Sequence, residues 1–104
     1  MPTFISLKKS KRDKKKYVLK LDNQTIHFGY AGSSTYLDHK DKEKRSAYIA
    51  RHKVNEDWTK INAGSLSRYL LWGEHTSLKE NLVIKPYRTP YLPDIPYQQA
   101  ALET

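Results

Sequence analysis

The C-terminal stretch PYRTPYLPDIPY, residues 86–97, limits what this chain can fold into more than any other part of the sequence. It has prolines at positions 86, 90, 93 and 96. Each proline lacks a backbone N–H and has a fixed φ angle, so this density of proline excludes a helix or the interior of a sheet. The sequence therefore predicts an extended, polyproline-like strap over residues 86–104.

Tyrosines alternate with these prolines at positions 87, 91 and 97. A tyrosine ring is apolar with a polar tip and has few rotamers to lose, which suits a segment that lies in a groove of another protein. We expect the strap to contact other chains, although it is also long enough to wrap around its own domain. The predicted partner-binding residues are Tyr87, Tyr91, Leu92, Ile95 and Tyr97.

The segment KKSKRDKKK, residues 8–16, carries most of the net charge. It contains seven basic residues and one acid, whereas the whole chain has a formal net charge of +8. Such a run repels itself, which predicts a disordered or extended basic arm over residues 1–16. The expected partner is a polyanion, either nucleic acid or an anionic membrane surface, and a solvated tail is the alternative. The predicted polyanion-binding residues are Lys8, Lys9, Lys11, Arg12, Lys14, Lys15 and Lys16.

Between the two arms, residues 17–85 are expected to form one compact α+β domain. The stretch YVLKLDNQTIHFGY alternates apolar and polar residues around a polar turn, which predicts a β-hairpin. A helix is predicted from Asp38, as the N-cap, to Lys53. A second helix is predicted in NAGSLSRYLLWG, and a third begins at Ser77.

The predicted fold is thus a small two-stranded antiparallel ribbon packed with two or three short helices, with extended N- and C-terminal arms. A ribbon of only two strands is marginally stable in water, so the helices must cover it. The residues expected to form the core are Phe28, Tyr48, Ile49, Trp58, Leu66, Leu70 and Trp72.

The sequence contains no convergent catalytic or metal-binding motif. Its four histidines are scattered without an HxxxH or HExxH pair, and the absence of cysteine excludes a disulfide framework or a thiolate zinc site. We therefore predict a non-enzymatic protein with no catalytic residue, metal, cofactor or small-molecule substrate. A hydrolase would depend on His39 or His52. A nucleic-acid reader on the KEKRSAYIARHK helix is a further alternative.

Seven short motifs follow one another over about half of the chain, from Ile26 to Lys79. They are HFG (27–29), HKD (39–41), YIARHK (48–53), NEDW (55–58), AG (63–64), SRYLLW (67–72) and LK (78–79). In order and spacing they resemble a family of small uncharacterised proteins encoded by large nucleocytoplasmic DNA viruses, the giant and algal viruses. Relatives tend to have bulky aromatics at Ser65 and Leu66 and a proline at His75.

This resemblance implies a viral setting and no assigned enzymatic activity. The leading hypothesis is a virion structural protein, specifically a minor capsid protein that ties major and minor capsid proteins together. Its expected location is the virion, and the host cytoplasm during assembly. The alternative is a nonspecific nucleic-acid-binding accessory protein that acts through the basic arm.

The stretch from YIARHK to SRYLLW is interpreted as a structural joint between the first two helices. Its mixture of arginine, acid and tryptophan is suited to a packed hinge. We expect Trp58 and Trp72 to clamp the helices together. Either Arg51 or Arg68 is expected to bond to Glu56 or Asp57.

Overall fold

The computed structural model describes residues 3–84, 89 and 91–99. An antiparallel sheet with strand order β1-β2-β3 consists of β1 (Phe4–Lys9), β2 (Lys15–Leu21) and β3 (Thr25–Tyr30). The helices are α1 (Tyr36–His39), α2 (Lys42–His52), α3 (Ala63–Leu66) and α4 (Leu78–Val83). A π-helical turn at Ser67–Leu71 continues α3, and a 3₁₀ turn covers Tyr97–Gln99. The predicted α+β class is confirmed.

The hairpin formed by β2 and β3 is the one that the sequence predicts. The turn is closed by the Leu21 N–H, which donates to the Gln24 carbonyl at 2.9 Å. Tyr17 lies opposite Phe28, and Leu19 lies opposite Ile26. These cross-strand pairs place apolar side chains on one face of the sheet, where the helices cover them.

The third strand, β1, comes from the segment predicted as an unpaired arm. The prediction of two strands is therefore wrong by one strand, because residues 4–9 are extended but pair with β2 instead of forming a separate arm. Leu7 pairs with Leu19 on β2 and is only 1% exposed, and Phe4 packs against the same core. These apolar residues precede the lysines and supply the anchor that the basic run itself lacks.

A leucine-rich core fills the space between the sheet and the helices. Of the predicted core residues, Phe28, Leu66 and Leu70 belong to it, whereas Tyr48 is buried outside the main cluster. Ile49, Trp58 and Trp72 are only half-buried. The cluster consists of Leu7, Leu19, Leu21, Phe28, Leu66, Leu70, Leu71, Leu78, Leu82, Leu92 and Ile95.

The C-terminal segment packs on its own domain. Leu92 is fully buried in the leucine cluster and Ile95 is 5% exposed, so the expectation that these two residues contact other chains is wrong. The Lys79 ammonium lies 4.0 Å from the centre of the Tyr97 ring, which holds the 3₁₀ turn near α4. Tyr87 lies outside the described residues. The domain's own leucines offer the apolar surface that we expected a partner to provide.

The helix predicted from Asp38 to Lys53 is instead two helices. Asp38 lies inside α1, where its carboxylate accepts the Thr35 N–H at 2.8 Å in a capping box. This hydrogen bond, with the charge of Lys16, lowers the pKa of Asp38. Lys40 then adopts a left-handed conformation with φ of 57° and ends α1.

Asp41 is the residue that caps the longer helix, α2. Its carboxylate accepts the backbone N–H groups of Glu43 at 2.9 Å and Lys44 at 3.2 Å. Asp38 was therefore the wrong N-cap, because the chain breaks between the two acids. None of the helices in the described part of the chain is long and apolar enough to cross a membrane.

The two helices predicted in the second half of the chain are present. Asn62 caps α3 by accepting the Ser65 N–H at 2.8 Å, and Ser77 caps α4 by accepting the Glu80 N–H at 3.3 Å. At the end of the π-helical turn the backbone packs closely. A Cβ atom at Gly73 would lie 2.2 Å from the Tyr69 carbonyl oxygen, so only glycine fits there.

Leu92→Ala should destabilise the protein by about 2–5 kcal/mol, because it leaves a cavity in the main core. The neighbouring Tyr91 is 52% exposed. Tyr91→Ala should therefore change the free energy of unfolding by less than about 0.5 kcal/mol. Urea unfolding of both variants measures this difference. A Leu92→Ala protein as stable as the wild type would show that the segment does not pack on its own domain.

Candidate functional site

The lysine-rich segment forms an ordered loop between β1 and β2. The Lys15 N–H donates to the Arg12 carbonyl at 3.2 Å, and the Ser10 N–H donates to the Lys16 carbonyl at 3.1 Å. Lys14 takes a left-handed conformation with φ of 66° to complete the turn. We call residues 8–15 the basic hairpin.

The basic hairpin brings six of the seven predicted polyanion-binding residues to one end of the sheet, and Lys16 follows it on β2. Lys15 is half-buried, and Lys16 is directed toward internal partners. The Lys16 ammonium donates to the Ser33 carbonyl at 2.6 Å and lies 3.5 Å from the Asp38 carboxylate. Lys16 is therefore a structural residue. The exposed members are Lys8, Lys9, Lys11, Arg12 and Lys14.

His27 on β3 responds to the charge of the basic hairpin. Its Nδ1 atom lies 2.7 Å from the Ser10 hydroxyl. Partial loss of water lowers the pKa of His27, and the positive charges of Arg12 and Lys15 lower it further. The exposed cations of the hairpin give this end of the sheet a positive potential, which favours anions.

Three contacts fix residues 14–16 against the end of β3 and the residues that follow it. Lys15 pairs with Tyr30 across the sheet. The Ala31 N–H donates to the Lys14 carbonyl at 3.0 Å, and Lys16 holds the Ser33 carbonyl as described above. Residues 30–33 are therefore positioned by the same lysine segment that carries the charge.

Tyr30 and residues 33–35 form one rim of a cleft of about 440 Å³. The cleft lies between the end of β3, helix α2, and the start of α3. Its lining is mainly apolar, with hydroxyl groups, a histidine and a carboxylate interspersed. The lining residues are Gly29, Tyr30, Ser33, Ser34, Thr35, Tyr48, His52, Glu56, Ala63, Gly64, Ser67, Leu71 and Trp72.

Stacked rings form one wall of this cleft. Tyr48 stacks on Trp72, with ring centres 4.3 Å apart and planes at 4°, and on His52, with centres 4.0 Å apart. His39 lies against the Trp72 ring at 5.2 Å. Burial, with the negative charge of Glu56, raises the pKa of Tyr48 to about 12, so its hydroxyl stays protonated at neutral pH.

Glu56 places a hydrogen-bonded carboxylate in the cleft. One of its oxygens lies 2.6 Å from His52 Nδ1, and the other accepts the Trp58 indole N–H at 2.8 Å. A Cβ atom at position 64 would come within 2.8 Å of this second oxygen, so Gly64 makes room for it. Each carboxylate oxygen has two lone pairs, which leaves acceptor capacity for a ligand.

Arg45 ties α2 to the turn that follows the π-helical segment. Its Nε–H donates to the Gly73 carbonyl at 2.9 Å and to the Trp72 carbonyl at 3.2 Å. Its guanidinium also pairs with the Glu74 carboxylate at 2.9 Å. Because Trp72 stacks on Tyr48 as well, the joint expected between the helices exists, and Trp72 is the tryptophan that clamps α2.

The arginine contacts expected in this joint differ from those in the structure. Arg68 donates to the Trp72 carbonyl at 3.0 Å instead of to Glu56 or Asp57. Arg51 is exposed. The prediction that Arg51 or Arg68 bonds to one of these acids is therefore wrong, because His52 occupies Glu56 and the Thr59 hydroxyl and N–H occupy Asp57.

Asn81 on α4 organises the turn that carries Trp72. Its side chain is fully buried. Its amide donates to the carbonyls of Leu70 at 2.9 Å and His75 at 2.8 Å, and its oxygen accepts the His75 N–H at 2.9 Å. Sequence reasoning missed this residue, because one asparagine in a short helix belongs to no periodic pattern.

Within residues 3–84, 89 and 91–99, no three histidine, aspartate or glutamate side chains are grouped so that they could hold a metal ion. His39 Nδ1 accepts the Asp41 N–H at 3.0 Å, and His52 pairs with Glu56. The two histidines named for a hydrolase therefore have separate structural partners. The arrangement is suited to binding an anion at the hairpin and a hydrogen-bonding group in the cleft.

Residues 5–52 match a family described as "Family of unknown function (DUF5754)". The match covers a little under half of the chain and runs from β1 through the basic hairpin to the end of α2. No curated protein and no solved structure matches the chain. The functional argument therefore depends on the geometry of the site.

Trp72→Ala should destabilise the protein by about 2 kcal/mol, because the lost ring is half-buried and stacked on Tyr48. This is less than the ~3–5 kcal/mol of a fully buried tryptophan. Trp72→Phe keeps a ring against Tyr48 and should lose less stability than the alanine variant. Chemical unfolding measures the free energy of unfolding of both variants and of the wild type. Equal stabilities of the wild type and the alanine variant would show that the stack does not hold α2.

Proposed function

We propose that the protein binds nucleic acid through the phosphate groups, using the exposed side chains of the basic hairpin. The observation that carries this proposal is the fold of the lysine-rich segment. It is an ordered turn, anchored by Leu7 in the core and by Lys16 against Ser33. Less conformational freedom is lost when an ordered loop binds than when a disordered tail does.

The chemistry of the basic hairpin favours phosphate contacts without base recognition. Lys11, Arg12 and Lys14 are exposed, and Asp13 is the one acid among them. Lysine and arginine contacts to phosphate release counterions, which makes binding salt-dependent and insensitive to sequence. Durable membrane attachment generally requires a second, apolar anchor in addition to charge. This requirement favours nucleic acid over an anionic membrane as the partner.

The combined variant Lys11→Ala, Arg12→Ala, Lys14→Ala should weaken DNA binding strongly. If each residue contacts one phosphate, the slope of log affinity against log salt should fall by roughly 2–3 units. Fluorescence anisotropy with a labelled duplex at several salt concentrations measures this slope. Vesicles containing phosphatidylserine, tested in parallel, would identify a membrane partner if they alone bind.

The matched control removes three positive charges from α2 and the residue that caps its C-terminus. Its substitutions are Lys42→Ala, Lys44→Ala and Lys53→Ala, all at exposed positions. This variant has the same net charge as the hairpin variant and should keep the wild-type salt slope. A larger loss in the α2 variant would place the nucleic-acid contact on the helix and contradict the hairpin proposal.

A virion structural role is the second candidate, and it is supported by exposed aromatic side chains on the C-terminal segment. Tyr91 is 52% exposed and Tyr97 is 55% exposed, although Leu92 and Ile95 anchor the same segment in the core. Anchored tyrosines of this kind suit a protein interface. Capsid proteins would be the partners, as the resemblance to viral proteins implies.

Mass spectrometry of purified virions tests the structural role directly. We expect the protein in the particles at a stoichiometry comparable to that of other minor components. The double variant Tyr91→Ala, Tyr97→Ala should fold normally and be lost from the particles. Detection of the protein in infected cells but not in virions would exclude this role.

A further inference from the structure

We propose that the cleft beside the basic hairpin receives one unpaired nucleobase, so that the protein prefers single-stranded to duplex nucleic acid. This inference rests on the proposed binding of nucleic acid. It adds a second site, at which the partner's base is held while the basic hairpin holds its phosphates. A nucleic-acid strand and a free nucleotide both offer this chemistry, a flat heterocycle attached to a phosphate.

The position of the cleft is the first argument. Tyr30 and Ser33 line its rim, and both are fixed to the lysine segment, Tyr30 by its pairing with Lys15 and Ser33 by Lys16. The Ala31 N–H donates to the Lys14 carbonyl at 3.0 Å, so the backbone of Lys14 lies beside this rim, and a phosphate bound by its exposed side chain would be within reach of the cleft. A base can reach the cleft only when it is not paired within a duplex.

The size and composition of the cleft are the second argument. Its volume of about 440 Å³ lies within the range of sites that hold small organic groups. The wall of stacked rings is apolar, and Glu56 adds a charged acceptor. An alkyl chain would bury this carboxylate without giving it a new partner, which costs free energy. A heterocycle with amino groups on its edge can pack its flat face on the apolar wall and donate hydrogen bonds to the Glu56 carboxylate.

Tyr30 is the ring that is free for stacking at the rim. Its side chain is 63% exposed, whereas both faces of Tyr48 are covered by Trp72 and His52. An exposed aromatic ring next to a basic segment is the common arrangement for single-strand binding, because every base has a face that can stack. Tyr30 thus supplies affinity that does not depend on the identity of the base.

Glu56 supplies a preference among bases. Its carboxylate oxygens accept hydrogen bonds, and cytosine carries an exocyclic amino group that donates. Thymine has a carbonyl oxygen at the corresponding position, which a carboxylate repels. The cleft should therefore favour cytosine over thymine, two bases of similar size.

Binding of three labelled ligands tests the inference: oligodeoxycytidylate and oligodeoxythymidylate of about 12 nucleotides, and a mixed-sequence duplex of the same length. The wild-type protein should bind the cytidylate strand most tightly. Tyr30→Ala should weaken this binding about tenfold, the effect of losing one stacked base. Ser34→Phe, which fills the cleft from an exposed rim position, should weaken it similarly, and neither variant should change duplex binding.

Two matched controls separate blockage of the cleft from a general effect. Ser46→Phe adds the same bulk at an exposed position of α2, and Val54→Ala removes an apolar side chain that is 73% exposed. Neither residue lines the cleft, so both variants should bind all three ligands as the wild type does. Circular dichroism and the thermal midpoint establish that every variant is folded.

The outcomes distinguish the two proposals. Unchanged binding of the cytidylate strand by both Tyr30→Ala and Ser34→Phe would overturn the base site and leave phosphate binding by the hairpin intact. Failure of the wild type to bind any of the three ligands would overturn both proposals. Cytidine monophosphate that competes as effectively as the strand would identify a free nucleotide as the occupant and overturn the single-strand assignment.

Discussion

The three hydrogen bonds of the buried Asn81 side chain hold the turn on which the rest of the site depends. They connect α4 to the carbonyl of Leu70 and to both backbone groups of His75. If these hydrogen bonds were lost, the buried amide would be left unsatisfied, at a cost of about 1–3 kcal/mol in the free energy of unfolding. The conformation of the turn therefore depends on the Asn81 side chain, and the burial of that side chain depends on the turn. Gly73 permits the close packing, since a side chain there would meet Tyr69.

This turn also holds helix α2 in place. The turn presents the Trp72 ring to Tyr48 and its carbonyl to Arg45 and Arg68. These contacts attach α2, which adds no residue to the leucine cluster. The cleft therefore lies between a body held by aliphatic packing and a helix held by rings and arginine. Its two walls are stabilised by different interactions.

Local patterns were sufficient to predict the hairpin of β2 and β3 and the Ser77 cap of α4, because each depends on neighbouring residues. The two larger errors came from long-range packing, whereas the break between α1 and α2 is a local left-handed turn at Lys40. The charge of the lysine run suggested a separate arm, although Phe4 and Leu7 anchor β1 in the core. The prolines suggested a strap that binds other chains, although Leu92 and Ile95 lie in the same core. The cleft was not predictable, since Tyr30 and Glu56 meet only in three dimensions and belong to no shared motif.

The position of β1 has a consequence for solubility. It is an edge strand of the sheet, and a strand in this position offers its outer backbone groups to any other extended chain. Charged side chains on an edge strand oppose such pairing, and Lys8 and Lys9 are exposed there. The same lysines therefore oppose aggregation through pairing of this edge strand, a role that does not depend on any ligand.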